Sequence, residues 1–111
     1  MRIIHRVENQ VAVLTPYGRL AVDGVDTMRV LVDSLLSEKE IKTILINFED
    51  ITMLDSSGIA LLVRVHKTLM ARGSVLSLCE VYGKYLDTLR LCGLTRVFKI
   101  HDSEQEALSH I

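Results

Sequence analysis

The chain has 111 residues, 49% of them hydrophobic, and a formal net charge of −1. That length fits one domain over residues 1–111, burying about 60–70% of its unfolded surface. A pI near 6.4 excludes a global field for nucleic acid or an anionic membrane.

No window approaches the ~18 continuous apolar residues of a membrane span. The start, Met1-Arg2-Ile3-Ile4-His5, carries no apolar targeting run. The expectation is a soluble, cytoplasmic protein with no direct nucleic-acid or membrane contact.

Residues 3–7 and 11–15 are β-branched-rich runs separated by Glu8-Asn9-Gln10, which predicts a hairpin. Pro16, the only proline, points to an edge position or a bulge. A first helix is predicted over 24–38, with Val25, Met28, Leu31, Val32, Leu35 and Leu36 at helical spacing. Asp23 and Asp26 stand at its start, where carboxylates suit free amides. Residues 44–48 read as a strand buried on both faces. A second helix is predicted over 57–71, ended by Arg72-Gly73. A strand over 74–79, a helix over 84–91, a strand over 97–100 and a helix over 103–110 complete the chain. Ser103 and Glu106 have capping-box spacing. Strands alternating with helices imply an α/β fold whose sheet is parallel in its later part.

Cys79 and Cys92 lie outside any CxxC pair or ligand spacing to a histidine. Both are expected to be reduced and buried, with no disulfide or metal site.

Chemistry concentrates in Leu54-Asp55-Ser56-Ser57-Gly58-Ile59, where a strand hands over to a helix start. A nucleophilic serine needs a base and an oxyanion site. The G-x-S-x-G elbow is absent. His5, His66, His101 and His110 are scattered, and His66 reads as a half-buried or surface residue. Walker A, GxGxxG and HExxH patterns are absent too, so neither catalysis nor a cofactor is expected. The bland reading of Asp-Ser-Ser-Gly is turn and cap chemistry. The regulatory reading is that a phosphoserine here gains about −1.5 to −2 charges, which free helix amides tolerate. The fold survives while a docked partner is repelled.

On the predicted second helix, Gly58, Leu61, Leu62, Val65 and Leu69 form one face, and Ile59, Val63 and Met70 a second strip. A neighbouring helix of the same domain covers that strip, or a partner protein docks over Ile59 and Val63 beside Ser56.

Residues 47–59, Asn-Phe-Glu-Asp-Ile-Thr-Met-Leu-Asp-Ser-Ser-Gly-Ile, resemble the signature of STAS domains, in particular bacterial anti-sigma factor antagonists. Tyr17-Gly18-Arg19-Leu20, the stretch from Leu91 to Ile100, and Asp102 to Leu108 resemble further segments of that family, in order. The resemblance implies a mixed sheet of about five strands with an N-terminal hairpin and about four helices. It also implies a partner switch. The unmodified protein binds an anti-sigma factor that is a serine kinase, and so frees a sigma factor. The kinase phosphorylates Ser56 from ATP and binding ends. A serine phosphatase acting on phospho-Ser56 restores it. Ser57 helps to build the turn. Arg19, Asp23, Asp55, Ser56, Ser57, Gly58, Ile59 and Val63 are the expected partner-binding residues. Ala21 stands where the family usually carries Asp, which leaves Asp23 to meet the kinase or to cap the first helix. The alternative is a non-catalytic STAS subunit of a larger complex, such as a transporter or stress scaffold.

Overall fold

In the computed structural model, which describes residues 1–111, a two-residue turn joins β1 (Arg2–Glu8) to β2 (Val11–Leu20). Asn9 and Gln10 both have positive φ, 52° and 69°. Such turns match the right-handed twist of the strands they join. The antiparallel register runs from Glu8 opposite Val11 to Arg2 opposite Tyr17.

The remaining elements are α1 (Val25–Leu36), β3 (Thr43–Asn47), β4 (Ile51–Leu54), α2 (Ser56–Met70), β5 (Ser77–Cys79), α3 (Gly83–Leu91), a 3-10 turn at Leu94–Arg96, β6 (Lys99–His101) and α4 (Glu104–Ser109). The sheet order is β1-β2-β3-β5-β6, with β4 also paired to β2. All pairs beyond the hairpin are parallel. The expected mixed sheet with an N-terminal hairpin and four helices is present, with six strands where about five were predicted.

The strand not counted among the five is β4, which is the one that hands over to the helix start at Leu54. Along one flank, β2 serves two partners in turn. Val11 to Leu14 pair with β3, and Gly18 to Leu20 pair with β4, with a register shift between Gly18 and Arg19. Pro16 stands between the two ladders, so its missing N–H breaks neither. The bulge suggested by the proline therefore lies two residues further on, at Gly18/Arg19.

The two faces of the sheet are unequal. Ala12, Leu14, Ile44, Ile46 and Leu78 join buried residues of α1, α2 and α3 in one cluster of 21 residues. On the other face Val11, Val13, Leu45 and Cys79 meet only Ala107 and Leu108 of α4. Consecutive residues of β3 thus enter different clusters, as its continuous apolar run predicts. Burial first, then the charges of Glu104, Glu80 and Glu49, push the Cys79 thiol up to about 12. Cys92, expected to be buried, is exposed. It follows the last turn of α3 as its C-cap and leaves the packed face.

α4 begins with the predicted cap, the Ser103 Oγ accepting from the Glu106 N–H at 3.1 Å. Glu104 accepts hydrogen bonds from Arg6 of β1 and Asn47 of β3. Burial works to raise its pKa, but these two donors and the Arg6 charge outweigh it and the carboxyl is held low. Arg72 donates to the backbone carbonyls of Leu36 and Ile41, fastening the end of α2 to the end of α1. No helix is long and apolar enough to cross a membrane.

His66, read from sequence as half-buried or at the surface, is buried, with 5% of its surface accessible. Its Nδ1 accepts from the Leu76 N–H at 3.1 Å, and its ring meets Phe98 edge-on, centroids 5.4 Å apart. The chain entering β5 needs an acceptor there, and His66 supplies it. Burial lowers the His66 pKa from its ordinary 6.5. The unfolded chain therefore binds the proton more readily, so His66 stabilises the fold above that value and the stabilisation falls away with acidification. In thermal melts from pH 7 to pH 5 the parent protein is expected to lose stability. His66→Phe should flatten that slope and cost about 1–3 kcal/mol at pH 7, because the Leu76 N–H loses its acceptor.

Candidate functional site

β2 and β4 run parallel and end side by side, with Leu20 opposite Leu54. β2 changes partner from β3 to β4 within this region. Crevices beyond the carboxyl ends of parallel strands at such points are the common binding sites of α/β sheets. The Asp55-Ser56-Ser57-Gly58 turn lies at this end of β4.

Asp55 is the N-cap of α2. Its Oδ1 accepts from the Gly58 N–H at 3.1 Å, and its Oδ2 accepts from the Val22 N–H at 3.2 Å. The Asp55 N–H donates to the Leu20 carbonyl at 3.4 Å. One residue thus joins the helix start to the segment leaving β2. The Gly58 N–H is the main cause holding the Asp55 carboxyl below its ordinary range; the amides of Val22 and Ser57 and the charge of Arg19 add to it. Asp55 is therefore ionised at neutral pH.

Gly58 is required by a close approach. A Cβ there would lie 2.1 Å from the Leu20 carbonyl oxygen and 2.9 Å from Leu54 Cδ1. No side chain fits without moving β2 away from α2. Gly24 has the same constraint against the Arg19 carbonyl, also at 2.1 Å. These two glycines let α1 and α2 start close to the end of β2.

Ser56 is the first residue of α2, one position earlier than the predicted helix start, and it is exposed. Ser57 is half-buried. Arg19 and Asp23 are exposed and paired, Nε to Oδ2 at 3.1 Å. Asp23 therefore does not cap α1. The N-cap is Gly24 and no side chain caps it; the Gly24 and Val25 N–H groups donate instead to the Ala21 carbonyl at 2.8 and 3.0 Å. Ala21 itself is fully buried.

The second apolar strip of α2 divides. Val63 is half-buried and packs against the main core, and Arg64 beside it pairs with Asp33 of α1 at 3.3 Å. Ile59 is half-buried and Met70 is exposed. Two apolar residues that the helical pattern did not single out flank the turn more openly. Val22, whose N–H holds Asp55, is 73% exposed, and Met53, on β4, is 38% exposed. Their signal in the sequence was position alone: each stands next to a residue that the fold turns inward.

The STAS domain profile matches residues 2–107. The chain is 23% identical to an anti-sigma F factor antagonist of Paenibacillus polymyxa over 85% of this chain and 80% of that protein. Its structure is similar to an anti-sigma-factor antagonist (STAS) domain protein from Planctomyces limnophilus, with a TM-score of 0.86 and 27% identity, covering 97% and 95% of the two chains. It is also similar to the Bacillus cell fate determinant SpoIIAA, solved in both phosphorylation states. The unphosphorylated form gives a TM-score of 0.80 at 21% identity, covering 98% and 96%. The phosphorylated form gives 0.78 at 22%, covering 98% of each chain.

Removing the Asp55 carboxylate, as in Asp55→Ala, leaves two amides without their acceptor. The melting temperature at pH 7 should drop by roughly 5 °C. The Asp55 pKa is lowered by folding, so its contribution is present above its ordinary 3.8 and is lost as pH falls below that value. Parent and variant melts should therefore converge in strong acid. Gly58→Ala should cost about 2 kcal/mol or more through overpacking, measured by urea unfolding.

Proposed function

Because the chain belongs to the STAS domain family, we propose that it is an anti-sigma factor antagonist operating a partner switch, with Ser56 as the residue that is switched. In this reading the unmodified protein docks on an anti-sigma factor that is also a serine kinase, and this docking releases the sigma factor. The kinase transfers phosphate from ATP to the Ser56 Oγ. The complex then separates, and a serine phosphatase returns the protein to its binding form.

The observation that carries this reading is the exposed Ser56 at the first position of a helix whose cap is already built by Asp55. The first amides of a helix and its dipole favour added negative charge. The phosphate would thus be held without unwinding α2. The same charge beside the ionised Asp55 would repel an acidic partner surface, and against an apolar one it would have to be desolvated. The exposed Met53 of β4, and the exposed Val22 and the Arg19–Asp23 pair at the end of β2 and on the segment leaving it, lie beside the turn, and in this reading form the remaining docking surface with Ile59 and Val63. An apolar patch rimmed by polar groups suits a protein partner.

Incubation with the cognate kinase and ATP, followed by mass mapping, should place phosphate on Ser56 alone. Ser56→Ala should accept none and should hold the kinase equally with and without ATP. Ser56→Asp should bind at least about tenfold more weakly, a loss of ~1.4 kcal/mol. Phosphate on Ser57, or on another element, would contradict the assignment.

A further inference from the structure

β1 is an edge strand of seven residues, Arg-Ile-Ile-His-Arg-Val-Glu. The two-residue turn makes Glu8 and Val11 a hydrogen-bonded pair. Counting back along the ladder, Arg6, Ile4 and Arg2 also bond to β2. The backbone groups of Ile3, His5 and Val7 therefore point outward, along the open edge. Ile4 and Val7 are each 50% exposed. Such an edge is a template for another strand.

We propose that β1 pairs antiparallel with β1 of a second copy of this chain, about a two-fold axis at His5, to join the two sheets edge to edge. This register overlaps all seven residues of β1, pairs its outward groups with one another and sets opposite charges face to face. It makes Ile3 with Val7, His5 with His5, and Val7 with Ile3 the hydrogen-bonded pairs, which are the residues with unpaired backbone groups. It sets Arg2 opposite Glu8 twice, in the closer, non-hydrogen-bonded positions. Arg2 forms no salt bridge within the chain and lies over the Tyr17 ring at 5.0 Å. Glu8 is met only by Arg6, at 3.3 Å, with about half its side chain exposed. Moving the axis to Ile4 sets Arg2 against Arg6, and moving it to Arg6 sets that arginine against itself. A strand facing an unrelated partner has no reason to complement its own reversed sequence in charge. An isologous contact requires such self-complementarity.

β1 occupies the flank of β2 opposite to β3 and β4, so the pairing adds to the sheet away from the strand that leads into Ser56. A strand pair alone buries less than the roughly 1,200 Å² of a standard interface. The association is therefore weak and concentration-dependent.

Sedimentation equilibrium of the full chain from about 10 µM to 1 mM at low salt should show the mass rising from monomer toward dimer. His5→Pro removes an outward donor that β2 does not use, and should abolish association while leaving the melting temperature near that of the parent. Glu8→Arg should weaken association at least about tenfold, and the double exchange Arg2→Glu with Glu8→Arg should restore it. A protein that stays monomeric over the whole range would overturn the proposal. So would folded His5→Pro that still dimerises like the parent, or a folded charge exchange that fails to restore what Glu8→Arg lost.

Discussion

The candidate site depends on one carboxylate. Asp55 holds the Gly58 amide with one oxygen and the Val22 amide with the other. The first bond starts α2, and the second fixes the segment that leaves β2. Both bonds are possible only because Gly58 has no side chain between α2 and the Leu20 carbonyl. Ser56 is thus presented on a rigid corner made of two parallel strand ends and a helix start. The corner needs nothing from the Ser56 hydroxyl, which leaves that hydroxyl free to be modified.

Local rules made this corner legible in the sequence. An Asp three residues before a glycine, at the change from strand to helix, is cap chemistry, and it was read within four residues of chain. The hairpin, α4 and its Ser103 cap, and the doubly buried β3 were legible for the same reason. What was not legible depends on distant partners. β4 was legible only as the strand that hands over to the helix at Leu54; it is four residues long, and its bounds and its place in the sheet are set by pairing with Gly18 to Leu20. The burial of His66 follows from the need of the Leu76 amide for an acceptor, which no helical period reveals. Asp23 had the position of a cap, but the Ala21 carbonyl took that role through a backbone turn, and Asp23 paired with Arg19 instead. The exposure of Met53 depends on the register of β4, and that of Val22 on the turn that follows β2, neither of which sequence spacing fixes.

The two faces of the sheet divide the work. The helix-covered face supplies most of the core and holds α2 in place behind the turn. The α4 face is thinner, and is strengthened by polar ties from Glu104 to Arg6 and Asn47. Since Arg6 belongs to β1, this network also fixes the open edge strand. The edge and the Ser56 turn lie on opposite flanks of β2, so self-association and partner exchange need not compete for the same surface.

The central claim is that the Asp55 corner accepts a phosphate on Ser56 without rearranging. The most direct measurement is the backbone amide spectrum of the isotope-labelled protein before and after full phosphorylation at Ser56. The account predicts shifts confined to residues 19–24 and 53–60, with the Val22 and Gly58 amides still protected from hydrogen exchange by Asp55. Shifts spread through β3, β5 and α3, or loss of protection at Val22 and Gly58, would contradict it.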